Sequence, residues 1–547
     1  MGNKRQKRLA AVLAGLCLAA SAAAAWAGRY ISGNYQQEAG KRTAEQEEAG
    51  KRTAEQEEAG KRTAEQEEAG KRTAEQEEAG KTDGDDRKVL SVTQLSDFFR
   101  QAAENIWGRK NLTGAEYASL TSLKISREER TVSYQLDHGY VQTMSYGEEM
   151  HIDLADLAVF TGLEWLSVDM PLEKGDLEGL ESLFGVYADN PLEELAEIIP
   201  LPGKITEIGT KDRSGKKTLE ALEAFPGLRY LSVDYGDLED ISALLQFPGL
   251  QGLILETGNH LEDYGPLGQL TGLEWLRIKG RGLEKLDFLR GMKSLSSLSI
   301  EGSGVTDLEA LDECGGIAFL SLIDNPGLED YSVLGELQGL EELVLERAQG
   351  GKLPPFGKTD SLERLSVRGA WDLSGLKEAL PFPGGLRSLE IHGISTEVDS
   401  LEALTQLSEL SALILEDLRV DRGMEAIFAM PSLRVLHLDH CRFGVDMGRL
   451  PINEKLEILS LNGSTLEDTG QGTEIRLSEH GELLGCFPGL RELYLESMGL
   501  DNVEFAVSLP LLEHLDVRGN DIASLAPLKG LKGIRTVWYG DGTVLFP

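Results

Sequence analysis

The residues best suited to chemistry are few and poorly grouped. His437, Asp439, His440 and Cys441 spell HLDHC. On an extended strand His437 and Asp439 share a face, so a metal can be imagined there with His392 nearby. No second spaced cluster of ligands accompanies them, and a metal assignment needs one. The stretch GTKDRSGKKT (209–218) approximates a phosphate loop, but five residues separate its glycines instead of four, and Ser214 stands where the second glycine belongs. It reads as a loop. Neither Gly-x-Ser-x-Gly nor His-Glu-x-x-His occurs. The expectation is a protein that is not an enzyme and uses no cofactor.

The recurring residues are of a different kind. A motif Leu-x-x-Leu-x-Leu, with Ile or Val allowed, begins at Leu228, Leu250, Leu273, Leu295, Ile317, Leu340, Leu362, Leu386, Leu410, Leu433, Leu456, Leu490 and Leu512. Successive starts are 22 to 24 residues apart, except for one step of 34. A fixed period in this range marks a solenoid, whose units bury their apolar faces against one another. Each motif is a short strand with alternate side chains inward, and stacking the strands makes a parallel sheet. Parallel strands need a return connection, which segments such as LEDISALLQFPG (238–249) supply, and the recurrent Phe-Pro-Gly-Leu turns into the next strand.

Residues two, four and six after the first Leu then face outward. The +2 column places Tyr230, Trp275 and Phe319 on alternate strands, about 10 Å apart at ~4.8 Å per strand. The other columns add Ile254 and Val344 at +4 and Ile323 at +6. Such side chains either anchor a partner or pack against cross-strand neighbours. The +6 column is acidic at Asp234, Glu256, Glu301, Glu346, Glu416 and Asp439. Like charges on adjacent strands repel, so Asp234/Glu256 and Glu416/Asp439 suggest a basic ligand, against the plain alternative of a chain simply rich in Glu. The 34-residue step holds an insertion, GQGTEIRLSEHGE (470–482), either a binding loop or a tolerated one.

The strands LEWLRIKG (273–280), LSSLSIEG (295–302), LEELVLER (340–347) and LEHLDVRGN (512–520) resemble leucine-rich repeats of the 22-residue type found in bacterial internalin-like surface proteins. The resemblance covers most of the chain from Leu120 onward. It implies an α/β solenoid: a leucine-rich-repeat horseshoe with a parallel β-sheet on the concave face, short helical or irregular returns on the convex face, and an N-terminal helical cap. The pattern departs from the family at the Asn eight residues after the first Leu, present as Asn325 and Asn520 but replaced by Gly236, Gly258 and Ser303 elsewhere.

Fainter strands extend upstream, starting at Leu120 and Leu163, and weak ones near Val141, Leu183 and Ile205 would fill the gaps as further periods. Ahead of them Val92–Trp107 reads as an amphipathic helix covering the first strand. At the other end IRTVWYGDGTVLFP (534–547) reads as a last strand and hairpin closing the stack. The organisation expected is a leader over 1–27, a spacer over 28–88, a helical cap over 89–119 and the solenoid over 120–547.

The formal charge of −38 argues against nucleic acid as a partner. Four cysteines with no Cys-x-x-Cys pair form no disulfide framework, and those of the body read as small buried hydrophobes. Residues 41–80 repeat KRTAEQEEAG four times, with Ala as the only apolar residue, so they cannot build a core and read as a spacer. Lys4, Arg5, Lys7 and Arg8 precede an apolar run, Leu9 to Ala27, ending Ala-Trp-Ala. That is the form of a secretory signal; the alternative is a membrane anchor formed by residues 9–27, disfavoured because ten of its nineteen residues are Ala. The whole describes an exported, secreted or cell-surface module that binds a protein through its concave face, a basic protein being one candidate. An architectural envelope component without a single ligand is the alternative. If the leader is removed, N-terminal sequencing of protein from its native host should begin at Gly28; intact chain in the membrane fraction would establish the anchor.

Overall fold

The computed structural model describes residues 90–547, apart from 148–149, 315, 354, 357–360, 373–378, 380–384, 541 and 546–547. The leader and the decapeptide spacer lie outside the described residues. The chain divides into two compact units, with the boundary between Ile205 and Thr206.

In the first unit β1 (Leu90–Ser91) and β2 (Asn111–Leu112) form a small antiparallel pair that brackets helix α1 (Asp97–Trp107). The helix starts later than the sequence suggests, because Val92–Gln94 winds as a 3₁₀ turn first. Its buried side, Phe98, Phe99 and Ala103, joins Tyr117 and Phe160 in an aromatic cluster whose ring centroids lie 5.0 to 5.8 Å apart. Strand β3 (Leu120–Ser126) pairs in parallel with β6 (Trp165–Val168), and β6 with β7 (Gly185–Ala188). On its other side β3 pairs antiparallel with β4 (Thr131–Leu136), which pairs antiparallel with β5 (Gln142–Ser145). The step of 43 residues from Leu120 to Leu163 is therefore taken up by a hairpin excursion, with no extra parallel strand among its described residues. The tight turn after Ser126, where Arg130 takes φ 53°, sends the chain back along β3. The strand expected near Leu183 is present as β7, with Val186 and Ala188 buried.

In the second unit the parallel ladder runs through β8 (Glu207–Asp212), β9 (Tyr230–Tyr235), β10 (Gly252–Thr257), β11 (Trp275–Lys279), β12 (Ser297–Glu301), β13 (Phe319–Ile323), β14 (Glu342–Lys352), β15 (Arg364–Asp372), β16 (Ser388–Ser400), β17 (Ala412–Arg422) and β18 (Val435–Asp439). It continues through β20 (Ile458–Ser460), β23 (Glu492–Tyr494), β24 (His514–Asp516) and β25 (Thr536–Tyr539). Equivalent motif positions pair throughout: Leu231, Leu253, Leu276, Leu298, Leu320, Leu343 and Leu365 form one inward row. All seven are buried. The returns are short 3₁₀ turns such as Ser242–Gln246 and Glu309–Glu313, each burying one Leu (Leu244, Leu311). The final hairpin is as expected, with β26 (Gly542–Leu545) antiparallel to β25.

The missing Asn residues are replaced in three ways. Asn325 and Asn520 do bridge strands: Asn325 Oδ1 accepts from Ser303 N at 3.0 Å and its Nδ2 donates to the Ile300 carbonyl at 3.1 Å. Ser464 serves the same purpose, its Oγ accepting from Cys441 N at 2.8 Å and donating to the Leu438 carbonyl. At Gly258 the loops close backbone to backbone, and a Cβ there would lie 2.1 Å from the Gly236 carbonyl oxygen. From β14 to β17 the strand simply runs on. The extensions of β16 and β17 pair in parallel (Thr396 with Leu418, Val398 with Val420), then β17 with β19 (Arg442–Val445) and β19 with β21 (Thr465–Asp468). A second ladder thus satisfies the loop backbone that Asn would otherwise bond.

A one-residue register slip exchanges inward and outward faces, so two neighbouring substitutions test the assignment. Leu343→Asp buries a charge at a position with 0% exposure and should cost roughly 4 kcal/mol or more. Val344→Asp, facing outward, should cost about 1 kcal/mol or less. Denaturant midpoints of the two variants measure the difference, and equal losses would refute the register.

Candidate binding face of the sheet

The outward face of the second unit is open, and along β9 exposure alternates with burial as the pleat requires. Tyr230, Gly252 and Trp275 are direct neighbours on three strands. A Cβ on Gly252 would stand 2.6 Å from Tyr230 Cδ1 and 3.1 Å from Trp275 Cε3. The two rings therefore converge over the glycine instead of standing apart by two strand widths. Phe319 lies two strands further on, beyond Ser297, and is half-buried like the other two aromatics. Ile323 and Val344 are also half-buried, whereas Ile254, set between Ser232 and Arg277, is only 5% exposed and forms floor more than contact surface.

The acidic column is met largely from within the sheet. Lys211 Nζ reaches Asp234 at 3.0 Å; Glu301 receives Arg277 at 2.8 Å and Lys279 at 2.5 Å. Those two cations hold the Glu301 carboxyl below its ordinary range, against the opposing effect of its burial. Glu256, between Asp234 and Lys279 in register, receives no ion pair among the described residues, because Lys279 turns to Glu301. Burial, with Asp234 beside it, pushes its carboxyl upward. Glu346 lies between Ile323 and Arg368. Asp439 accepts from Ser460 Oγ at 2.6 Å and from Asn462 N at 2.9 Å. Glu416 is bonded to His392 Nδ1 at 2.5 Å, while His392 Nε2 lies 3.7 Å from Glu390, which Arg368 also approaches at 3.7 Å.

Beyond Arg364 the +2 register continues through Ser388, Ala412, Val435, Ile458, Glu492 and His514. Ala412, Val435 and Ile458 make a compact apolar cluster on the outward face, with Tyr494 packed against it. Tyr494 stacks on Trp538 (centroids 6.3 Å, 19° between planes), and His514 stacks on the same indole at 6.0 Å. This second patch was readable in the same spacing for its aliphatic part. Trp538 sits in the terminal hairpin, where the Leu motif no longer marks the register.

The other candidate motifs go to structural uses. After β8 the chain 213–218 turns around Asp212, which accepts from Ser214 N at 2.8 Å, and no α-helix follows to receive a phosphate. His437 sits between Ile414 and Ser460, and burial keeps it below its ordinary pKa despite the carboxylates of Asp439, Glu390, Glu492 and Glu416. No group of three His, Cys, Asp or Glu among the described residues is arranged to hold a metal ion. The insertion is a built element: β22 (Thr473–Ile475) pairs antiparallel with β21, and Ile475 and Leu477 are buried. Cys314 and Cys441 are buried, as expected of small hydrophobes, and burial pushes the Cys441 thiol up to about 12.

A parallel ladder with inward Leu rows and a 22–24-residue step is the leucine-rich-repeat fold. No family model matches the chain. A curated relative, a Roc-COR-CHAT protease from an unknown prokaryotic organism, is 28% identical over 179 residues; the match covers 32% of this chain and 16% of that protein. Among solved structures, an internalin of Listeria monocytogenes is similar at 18% identity, over 68% of this chain and 97% of its own, with a TM-score of 0.38. A leucine-rich-repeat protein of Leptospira interrogans is similar at 16%, over 69% and 89%, with a TM-score of 0.41. The Toll–Spätzle complex of Drosophila matches at 15%, over 75% of this chain and 63% of that one, with a TM-score of 0.44. Among the described residues no helix is long and apolar enough to cross a membrane.

The His392 network carries a pH dependence. Burial lowers the histidine pKa, but the nearby Glu390 carboxylate and the hydrogen bond to Glu416 outweigh it and leave a net rise above 6.5. The same bond to His392 depresses Glu416. A raised histidine contributes stability that is full below 6.5 and lost as pH climbs through the folded value. Melting temperature should therefore fall more between pH 6 and pH 9 in the parent than in His392→Gln. Parallel curves would show that the pair adds nothing.

Proposed function

We propose that the chain is an exported protein-binding module whose partner docks on the outward face of the second unit's sheet. The observation that carries this reading is the closure of Tyr230 and Trp275 over Gly252. A strand residue without a side chain weakens the sheet, and here the missing side chain lets two large half-buried rings lean in over the same position as one platform. Phe319, Ile323 and Val344 extend that platform, and aromatic platforms on an open surface are where binding energy concentrates. Glu256, without a cation of its own, and the −38 charge of the chain favour a basic partner. Export is supported by the leader composition of residues 1–27 alone. The reading assigns binding without catalysis, and no cofactor.

Pull-down with the full chain and mass spectrometry would identify the partner. Replacing Tyr230, Trp275 and Phe319 together by Ser should then abolish binding, a loss on the order of 10⁴-fold, since buried aromatic anchors contribute ~2 kcal/mol or more each. Stability should change little, because these side chains lie outside the core. Association should slow as salt rises, as expected for charge steering. Gly252→Leu, which forces the rings apart, should weaken binding on its own. Unchanged affinity in a folded triple variant would refute the platform; a purely architectural protein would show no saturable partner at all.

A further inference from the structure

The apolar patch at the far end of the ladder has a chemistry different from the Tyr230–Trp275 platform. Ala412, Val435 and Ile458 are 3%, 6% and 8% exposed although they sit on the outward face, so they form a smooth aliphatic floor. Directly beside Ile458 in register stands Glu492, and beside Glu492 stands His514. The wall is aromatic: Tyr494, Trp538 and His514 stack in one array. Glu492 accepts the Tyr494 hydroxyl at 2.6 Å, and no lysine or arginine among the described residues forms an ion pair with it. Two arginines along the rim are engaged elsewhere, Arg491 with Glu513 at 2.5 Å and Arg535 with the same Glu513 at 3.1 Å. The Nδ1 of His514 is buried with no hydrogen-bond partner among the described residues.

One carboxylate without a cation, between an aliphatic floor and stacked rings, is complementary to an arginine side chain. The guanidinium would bond the carboxylate and stack on the ring faces while its methylene stem covers the aliphatic floor. From this arrangement we infer that Glu492, Tyr494, Trp538 and the Ala412–Val435–Ile458 floor form a second anchor site, which seats an arginine flanked by aliphatic residues on a protein partner. The inference rests on the reading of this sheet face as a protein-binding surface. It adds the chemistry of one contact and places it far from the first: nine strand steps along the ladder separate β11 from β23, about 43 Å at ~4.8 Å each. A partner engaging both patches must present an extended surface with its arginine at one end.

The probe is a fluorescein-labelled, end-capped peptide of alternating arginine and leucine, titrated against the full chain by fluorescence polarisation. Its control replaces every arginine by citrulline, which keeps the shape and removes the charge. The arginine peptide should bind saturably and at least tenfold more tightly than the citrulline peptide. Glu492→Gln should lose at least tenfold, whereas Glu504→Gln, an exposed carboxylate on a return turn, should lose nothing; together they separate the site from the general acidity of the chain. Tyr494→Phe keeps the ring and frees Glu492 of its hydroxyl, so it should retain binding. The Tyr230/Trp275/Phe319 triple Ser variant should bind the peptide as the parent does, whatever it does to the natural partner. Equal binding of the two peptides, or of Glu492→Gln and parent, overturns the site. Loss in the triple variant with Glu492→Gln unaffected would move the arginine to the first platform, leaving the proposed binding face intact.

Discussion

In a parallel ladder the inward residues decide what the outward ones can do. Side chains alternate with a period of two, so the Leu rows that fill the core also fix which residues look outward, and a slip of one residue would bury the aromatics and expose the leucines. Pairing of Leu231, Leu253, Leu276 and their successors at equivalent positions brings Tyr230, Gly252 and Trp275 into line. The same rows bring Ala412, Val435 and Ile458 together further along the chain. The composition of the outward face is therefore a consequence of core packing, even though its side chains contribute little to that core.

The repeat made most of this legible. Strand positions, the inward rows, the 3₁₀ returns and the closing hairpin all follow from a 22-residue step. The reading went astray where the chain left the period: between Leu120 and Leu163 two antiparallel strands occupy length that looked like one more repeat. Loss of the loop Asn could be seen, but not its replacement by strand extensions, because backbone pairing between β16, β17 and β19 has no side-chain signature. The convergence of Tyr230 and Trp275 was hidden for a similar reason. Gly252 is a gap in the column when read as a letter, and a point of contact once its neighbours' rings are placed.

Charge was the least legible property. A column rich in Glu and Asp looks like an exposed anionic stripe, yet Lys211, Arg277, Lys279 and His392 reach sideways to Asp234, Glu301 and Glu416 and neutralise that part of it. The rim repeats the theme, with Arg434 paired to Glu457, and Arg491 and Arg535 sharing Glu513. Exposed pairs of this kind contribute little stability each. Their effect is selective: they leave Glu256, Glu346 and Glu492 on the face without an ion-pair partner among the described residues.

The antiparallel strands at β4–β5 and at β26 have a bearing on assembly. A stack of identical parallel strands has no intrinsic length; its last member offers the same row of amides and carbonyls that every earlier member used, and another copy of the chain could take it as a template for a filament. An antiparallel strand changes the spacing and slant of those bonds, so a further parallel repeat no longer matches the edge it meets. With β26 laid against β25, the last parallel strand of the second unit has its free edge covered by a strand of the opposite direction.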